Sequence, residues 1–139
     1  MLEGVVPFPP EYARRYREKG YWQDKSLAQE FDVVFKQYAE RVAFVDRGQS
    51  YTYADVDRVS TRLALNLLDT GLQPLDRVVL QLPNVIEFVF LYFALQKVGA
   101  IPIAALASHR YAEVSQFATL SGATTCVIPR SEEHTSELQ

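Results

Sequence analysis

The sequence predicts an α/β fold in which βαβ units form a parallel sheet and a small β-hairpin is attached. Short apolar runs typical of strands recur at 77–82, 100–106 and 124–129. Stretches with helical periodicity separate these runs, and strands that alternate with helices of about 10 to 15 residues indicate a parallel sheet. A pair of short β-prone runs at 42–46 and 50–53 indicates the hairpin.

The first two helices are predicted from their start signals. A helix over 10–19 begins with Pro10, because proline is favoured in the first turn. A second helix follows Ser26, since Gln29 completes a capping box three residues later. Its apolar side chains recur at helical spacing and form an apolar stripe made of Leu27, Phe31, Val34, Phe35 and Tyr38.

A third helix is predicted directly after the hairpin. Thr52 and Asp55 form its cap, and Gly71 ends it with a residue that tolerates positive φ. The run RVVLQL at 77–82 has the composition of a strand that is buried on both faces. The helix at 85–98 is apolar on nearly all sides and is therefore expected between layers.

The remaining elements complete a thin sheet. Asn84 is predicted to cap the helix over 85–98. AIPIAAL at 100–106 is a strand, and 110–120 is a helix. TTCVIP at 124–129 is predicted to be a third buried strand. A parallel sheet of about three strands is thin, so we expect that more chain completes it.

The composition argues against several classes of partner. The chain has 14 basic and 17 acidic side chains, so no basic excess is available for nucleic acid. Glu87, Lys97 and Pro102 interrupt the most apolar stretch, whereas a transmembrane helix needs roughly 20 consecutive apolar residues. No membrane partner is therefore expected. Cys126 is the only cysteine, which excludes an internal disulfide and fits a cytoplasmic location.

Two loops that follow predicted strands are candidate binding elements. Local structure alone explains QLPN at 81–84, but this turn would lie at the sheet edge where ligands of α/β proteins bind. In ALASHR, Ser108 is predicted to cap the next helix, which would place His109 and Arg110 in its first turn. The helix dipole disfavours cations there, so we expect a contact with an anion or another domain. A satisfied surface role for His109 is the alternative.

No catalytic or metal-binding residue is assigned from the sequence. A phosphate-binding glycine loop, a nucleophile elbow and a pair of zinc ligands are all missing. The tail does group Glu132, Glu133 and His134. However, RSEEHTSELQ can be encoded by a DNA string that resembles the start of a common sequencing-library adapter. We therefore predict that 130–139 is a translated adapter and that 1–129 is native.

Several stretches together resemble one enzyme superfamily. The framework TY, G, DRV, LPN and GA-x-P, spread through 52–102, resembles the adenylate-forming (AMP-binding) enzymes. YREKGYW at 16–22 and ALASHR resemble a narrower branch, the stand-alone ligases that activate 2,3-dihydroxybenzoate or salicylate in siderophore biosynthesis. The resemblance covers 1–129 as the first part of the large amino-terminal domain. Ala107 stands where that branch usually has proline, which should loosen the loop.

The resemblance implies a two-step ligase reaction in the complete protein. The carboxylate attacks the α-phosphorus of ATP bound with Mg²⁺, giving an aryl adenylate and pyrophosphate. The phosphopantetheine thiol of an aryl carrier protein then attacks the carbonyl and releases AMP. The resemblance places the phosphate loop, the ribose-binding aspartate, the catalytic lysine and the aryl-acid pocket downstream. None of these occurs in this sequence, so the chain alone is expected to be inactive and to bind no cofactor.

The same resemblance gives the loop a role. Ser108, His109 and Arg110 are expected to approach the channel for the carrier arm or the moving domain. Two alternatives remain open. The complete protein could be another acyl-CoA or aryl-CoA synthetase of the superfamily, or the chain could be a non-catalytic α/β binding module.

Overall fold

The computed structural model describes residues 5–129 and confirms the α/β fold. The element order is α1 (Pro10–Glu18), α2 (Leu27–Gln37), β1 (Val42–Asp46), β2 (Gln49–Thr52), α3 (Tyr53–Asp69), β3 (Arg77–Leu80), α4 (Ile86–Val98), β4 (Ile101–Ala104), α5 (Tyr111–Ser121) and β5 (Thr125–Val127). The tail predicted to be an adapter, 130–139, lies outside the described residues.

The strands form two sheets. β1 and β2 pair as the predicted antiparallel hairpin, and β4, β3 and β5 form a parallel sheet in that order. In the parallel sheet, Leu80 is in register with both Ala104 and Val127. These three residues end their strands, so the carboxyl ends of all three strands lie level at one edge. The loops that follow β3 and β4 are therefore neighbours.

The core lies between β3 and the pair of helices α3 and α4. Val78, Val79 and Leu80 are at most 1% exposed, which confirms that β3 is buried on both faces. Leu95 of α4 is fully buried, and burial of one such side chain stabilises the fold by roughly 1.5 to 3 kcal/mol. α4 contacts α2, α3, β1 and β4, so its position between layers is also confirmed. The buried cluster comprises Ala64, Leu72, Val78, Leu80, Leu91, Ala94, Leu95, Val98 and Ala100.

β5 differs from its prediction. Thr125 and Cys126 are exposed, and Val127 is half-buried. The prediction of a buried strand was wrong. An apolar composition indicates that a strand is suited to burial, but the strand is buried only where helices or other chain segments pack on both of its faces. Within residues 5–129, β5 pairs with β3 along one side and carries no strand on its other side.

The predicted capping boxes of α2 and α3 are both present. The Gln29 N–H donates to Ser26 Oγ at 3.3 Å, and the Ser26 N–H donates to the Gln29 side chain at 2.8 Å. At α3, Thr52 and Asp55 make the equivalent pair at 3.1 Å in each direction. Hydrogen bonds from Arg58 and then from Thr52 lower the pKa of Asp55 to about 2. These helix starts are local, which is why the sequence predicts them.

The start of α4 is capped from outside its own segment. Asn84 was predicted to cap this helix, and that prediction was wrong, because Val85 occupies the cap position without a side-chain hydrogen bond. The Ile86 N–H donates instead to a carboxylate oxygen of Asp46, at the end of β1, at 3.2 Å. The acidic side chain also complements the positive end of the helix dipole. The hairpin is thereby joined to α4.

Lys97 joins three helices at the edge of the core. Its ammonium group on α4 pairs with the Asp57 carboxylate and donates to the Asp57 carbonyl at 3.0 Å and to Thr61 Oγ1 at 2.6 Å, both on α3. The same group lies 5.3 Å from the ring centre of Phe35 on α2. Several partners satisfy this mostly buried charge, so we assign it a structural role.

The amino-terminal segment is held by aromatic contacts. The Phe8 ring lies 6.4 Å from Tyr12, 5.7 Å from Tyr16 and 5.0 Å from Trp22, between ring centres. Phe8 therefore packs against both α1 and the segment that follows it. Across residues 5–129, no helix has both the length and the apolar character needed to span a bilayer.

Candidate functional site

The two candidate stretches meet at the carboxyl edge of the parallel sheet. Gln81 directly follows β3, and residues 105–110, here called the carboxyl-edge loop, directly follow β4. The Gln81 side-chain amide donates from Nε2 to the carbonyl oxygen of Leu106 at 2.9 Å and to that of His109 at 2.8 Å. The position of QLPN at this edge is confirmed. The hydrogen bonds between the two stretches had no counterpart in the sequence prediction.

The carboxyl-edge loop also closes on itself. The His109 N–H donates to the Leu106 carbonyl at 3.0 Å, which defines a turn over 106–109. The Leu106 N–H in return donates to His109 Nδ1 at 3.1 Å. Because Nδ1 is the acceptor, the neutral imidazole carries its proton on Nε2. The Ala105 N–H donates to the Leu80 carbonyl at 3.0 Å, which continues the ladder between β4 and β3 into the loop.

The three predicted site residues differ in exposure. Ser108 and Arg110 are exposed, and His109 is half-buried. The His109 ring lies 5.1 Å from the Phe117 ring of α5, in an edge-to-face arrangement that fixes its plane. The loop thus presents a hydroxyl and a guanidinium to solvent on either side of an imidazole that packing and hydrogen bonds hold in place.

The predicted cap of α5 was wrong. Arg110, with extended φ and ψ of −112° and −172°, occupies the cap position, and Ser108 lies within the preceding turn. The Arg110 N–H donates to the Glu113 carboxylate at 2.9 Å. This hydrogen bond, with a smaller contribution from the Glu113 N–H, lowers the pKa of Glu113 below its ordinary value. His109 and Arg110 therefore precede the first turn of α5. Since neither residue lies in that turn, an unfavourable interaction with the helix dipole no longer supports a binding role for them.

Asn84 lies in a different feature from Gln81. It lines a groove of about 290 Å³ between the end of β1 and the start of α4, together with Phe44, Asp46 and Phe88. A depression of about 400 Å³ is lined by the segment before α2, including Trp22, and by Glu30 of α2, and its lining contains both acidic and basic side chains. Neither hollow includes a residue of the carboxyl-edge loop.

The carboxyl-edge loop does not fit a nucleotide phosphate by itself. The Glu113 carboxylate already accepts from the backbone N–H of Arg110, the loop's cation, and lies three residues from it in the chain, and the loop has no glycine-rich run of backbone N–H groups. In the part of the chain that the structure describes, no group of three or more His, Cys, Asp or Glu side chains could hold a metal ion. The loop's exposed hydroxyl and guanidinium can instead form hydrogen bonds that position a polar ligand or a polar segment of another molecule.

Gln81 lies in a predicted candidate stretch, but reasoning from the sequence missed its hydrogen bonds to the loop after β4. A signal was available, since a glutamine directly follows three consecutive buried residues of β3. Side-chain amides in such positions need hydrogen-bond partners. With β3 and β4 placed side by side, the loop after β4 is the nearest source of carbonyl groups.

Comparison with known proteins identifies the family. The AMP-binding enzyme family matches residues 31–139. Triostin synthetase I of Streptomyces triostinicus is 44% identical over 92% of this chain and 24% of that protein. The salicyl-AMP ligase / salicyl-S-ArCP synthetase of Mycobacterium tuberculosis is 39% identical, over 91% of this chain and 23% of that protein. The 2,3-dihydroxybenzoate-AMP ligase of Bacillus subtilis is 36% identical, over 93% of this chain and 24% of that protein.

Solved structures agree with this relationship. The apo structure of MbtA from Mycobacterium smegmatis superposes with a TM-score of 0.84 at 38% identity, covering 88% of this chain and 23% of that chain. The chain spans about a quarter of the length of the curated relatives that it matches. On the sequence match and the shared fold, the chain belongs to the AMP-binding enzyme family.

Proposed function

We propose that the protein containing this chain activates an aryl carboxylic acid, either 2,3-dihydroxybenzoate or salicylate, as an aryl adenylate in cytoplasmic siderophore biosynthesis. Mg-ATP, when bound, supplies the electrophilic α-phosphorus. The aryl group then passes to the phosphopantetheine thiol of an aryl carrier protein. The observation that carries the proposal is the identity of 36% and 39% to ligases named for these two acids, spread over more than 90% of the chain.

The described residues contribute scaffold and one edge of the cleft in this proposal. β3, α3 and α4 form a rigid support, and the level carboxyl ends of the strands carry the carboxyl-edge loop. We propose that residues 1–129 are part of the adenylation domain and that 130–139 are not native. We also propose that the 139-residue chain alone has no adenylating activity. Ser108, His109 and Arg110 are proposed to face the carrier arm or the moving domain during thioester formation.

The adenylation step is tested by ATP–pyrophosphate exchange. The native reading frame, sequenced past codon 129, is expressed in full and assayed with 2,3-dihydroxybenzoate, salicylate, benzoate, a fatty acid and an amino acid. We expect exchange with one of the two hydroxybenzoates well above the other acids. Exchange only with the fatty acid or the amino acid contradicts the proposal. Exchange by the 139-residue chain contradicts the proposed inactivity of that chain.

The identity of the thiol acceptor is tested separately. The preformed aryl adenylate is offered coenzyme A or a carrier protein with its phosphopantetheine arm, at equal thiol concentration. We expect faster thioester formation on the carrier. Faster transfer to coenzyme A supports an aryl-CoA synthetase instead, because that acceptor lacks the protein surface that a carrier presents to the enzyme.

A further inference from the structure

Gln81 connects the ends of all three parallel strands. It follows Leu80 of β3, and its backbone N–H donates to the carbonyl of Val127, the last residue of β5, at 2.9 Å. Its side chain reaches the loop after β4 through the hydrogen bonds to Leu106 and His109. One half-buried residue therefore links β5 and the carboxyl-edge loop to the central strand.

The side-chain amide of Gln81 is used to its full donor capacity. Nε2 carries two hydrogens, and two carbonyl oxygens lie at 2.8 and 2.9 Å from it. Glutamate has the same shape, but its ionised carboxylate only accepts and would face two other acceptors. Methionine has a similar length and donates nothing. The position thus requires an amide of this length.

The two acceptors are the first and last residues of the turn over 106–109. By bonding both carbonyls, the Gln81 amide fixes the separation of Leu106 and His109. The same separation allows the Leu106 N–H to reach His109 Nδ1. Gln81 thereby supports the hydrogen bond that holds the His109 proton on Nε2, and it fixes the backbone that carries Ser108 and Arg110.

We propose that Gln81 is a positioning residue for the thioester half-reaction, acting through the carboxyl-edge loop. This inference rests on the proposed function and deepens it, since it names the contact that sets the loop before the carrier arm arrives. Gln81 touches no reacting group in this account. Its effect passes through the turn over 106–109 and the tautomer of His109.

The test uses Gln81→Glu and Gln81→Met in the full-length enzyme. We expect the rate of thioester formation to fall about tenfold, while the rate of adenylation stays within about twofold of wild type. A tenfold fall is what the loss of two hydrogen bonds produces when the loop partly relaxes to compensate. In ¹⁵N-histidine spectra, with the His109 signals assigned by their loss in His109→Asn, the Nε2–H tautomer should give way to a mixture. Gln73→Met is the matched control, because the Gln73 amide also donates to a backbone carbonyl, that of Gly71, at 3.2 Å.

Each outcome decides the proposal. An equal fall in both half-reactions in both variants, with an unchanged tautomer, indicates a merely structural role and overturns it. A folded Gln81→Glu enzyme with unchanged thioester formation also overturns it. If the wild-type enzyme adenylates no aryl acid, the proposed function has failed. The spectra then judge the positioning step alone: a lost tautomer signature supports the Gln81 contact, and a retained signature overturns it.

Discussion

Leu80 and Gln81 are adjacent in the chain, yet different forces hold their surroundings. Leu80 has no exposed surface and lies in the buried apolar cluster. Gln81 begins an edge where directional hydrogen bonds to Leu106 and His109 define the backbone. Close packing makes a core sensitive to volume, whereas a loop held by a few hydrogen bonds depends on donors and acceptors. A rigid core therefore carries an edge whose geometry single polar residues can set.

The largest expected effect is in the core. Leu95→Ala leaves a cavity beside β3 and should lower the free energy of unfolding by about 2 to 5 kcal/mol. Leu65→Ala on α3 is the control, because Leu65 is 58% exposed and its loss should change stability by about 0.5 kcal/mol or less. Urea unfolding of the full-length enzyme measures both. A smaller loss for Leu95→Ala than for Leu65→Ala would mean that the core is wrongly placed.

The cap of α4 should have the next largest effect. Asp46→Ala leaves the Ile86 N–H without its acceptor and should lower the free energy of unfolding by about 1 kcal/mol. Asn84→Ala should change it far less, since Asn84 makes no side-chain cap in this helix. Thermal unfolding of the two variants compares them directly. If Asn84→Ala is the more destabilising change, the sequence-based cap is right and the link from the hairpin is not.

A substitution of Ala107 in the carboxyl-edge loop should have a smaller effect, and it should stabilise the protein. Ala107 occupies the second position of the turn over 106–109, where proline is favoured, and its φ is not positive. Ala107→Pro should raise the free energy of unfolding by about 0.4 to 1 kcal/mol, because proline restricts the unfolded chain. Ala118→Pro, in the interior of α5, is the contrasting control and should destabilise, because proline there removes a helical hydrogen bond. Destabilisation by Ala107→Pro in a melting experiment would show that the turn has a different geometry.

The smallest effect concerns the pH dependence of the α3 cap. The pKa of Asp55 is about 2 in the folded chain, against an ordinary 3.8 when unfolded. As the pH falls below 3.8, the unfolded chain binds the proton before the folded chain does. The contribution of the Asp55 carboxylate to the free energy of unfolding is therefore complete above that pH and is lost towards pH 2. The stability difference between wild type and Asp55→Asn should therefore shrink over this range. A difference that stays constant from pH 5 to about pH 2 would contradict the Arg58 and Thr52 contacts.

The elements that the sequence predicts well are those with local causes. The capping boxes of α2 and α3 need residues three apart, and the composition of β3 matches its burial. The cap of α4 comes from Asp46, 40 residues before Ile86, so no local pattern contains it. The exposure of β5 depends on which layers cover it. The Gln81 contact depends on the register of β3 with β4, which follows from the fold and not from either segment alone.

The central functional claim is that the carboxyl-edge loop serves thioester formation and not adenylation. Full-length His109→Ala and Arg110→Ala enzymes test it directly, with Gln73→Ala as control, through separate rates for aryl adenylate formation and for transfer to the carrier protein. We expect transfer to fall about fivefold or more in the loop variants while adenylation stays within about twofold. Unchanged rates in both half-reactions, or an equal fall in both, would contradict the account.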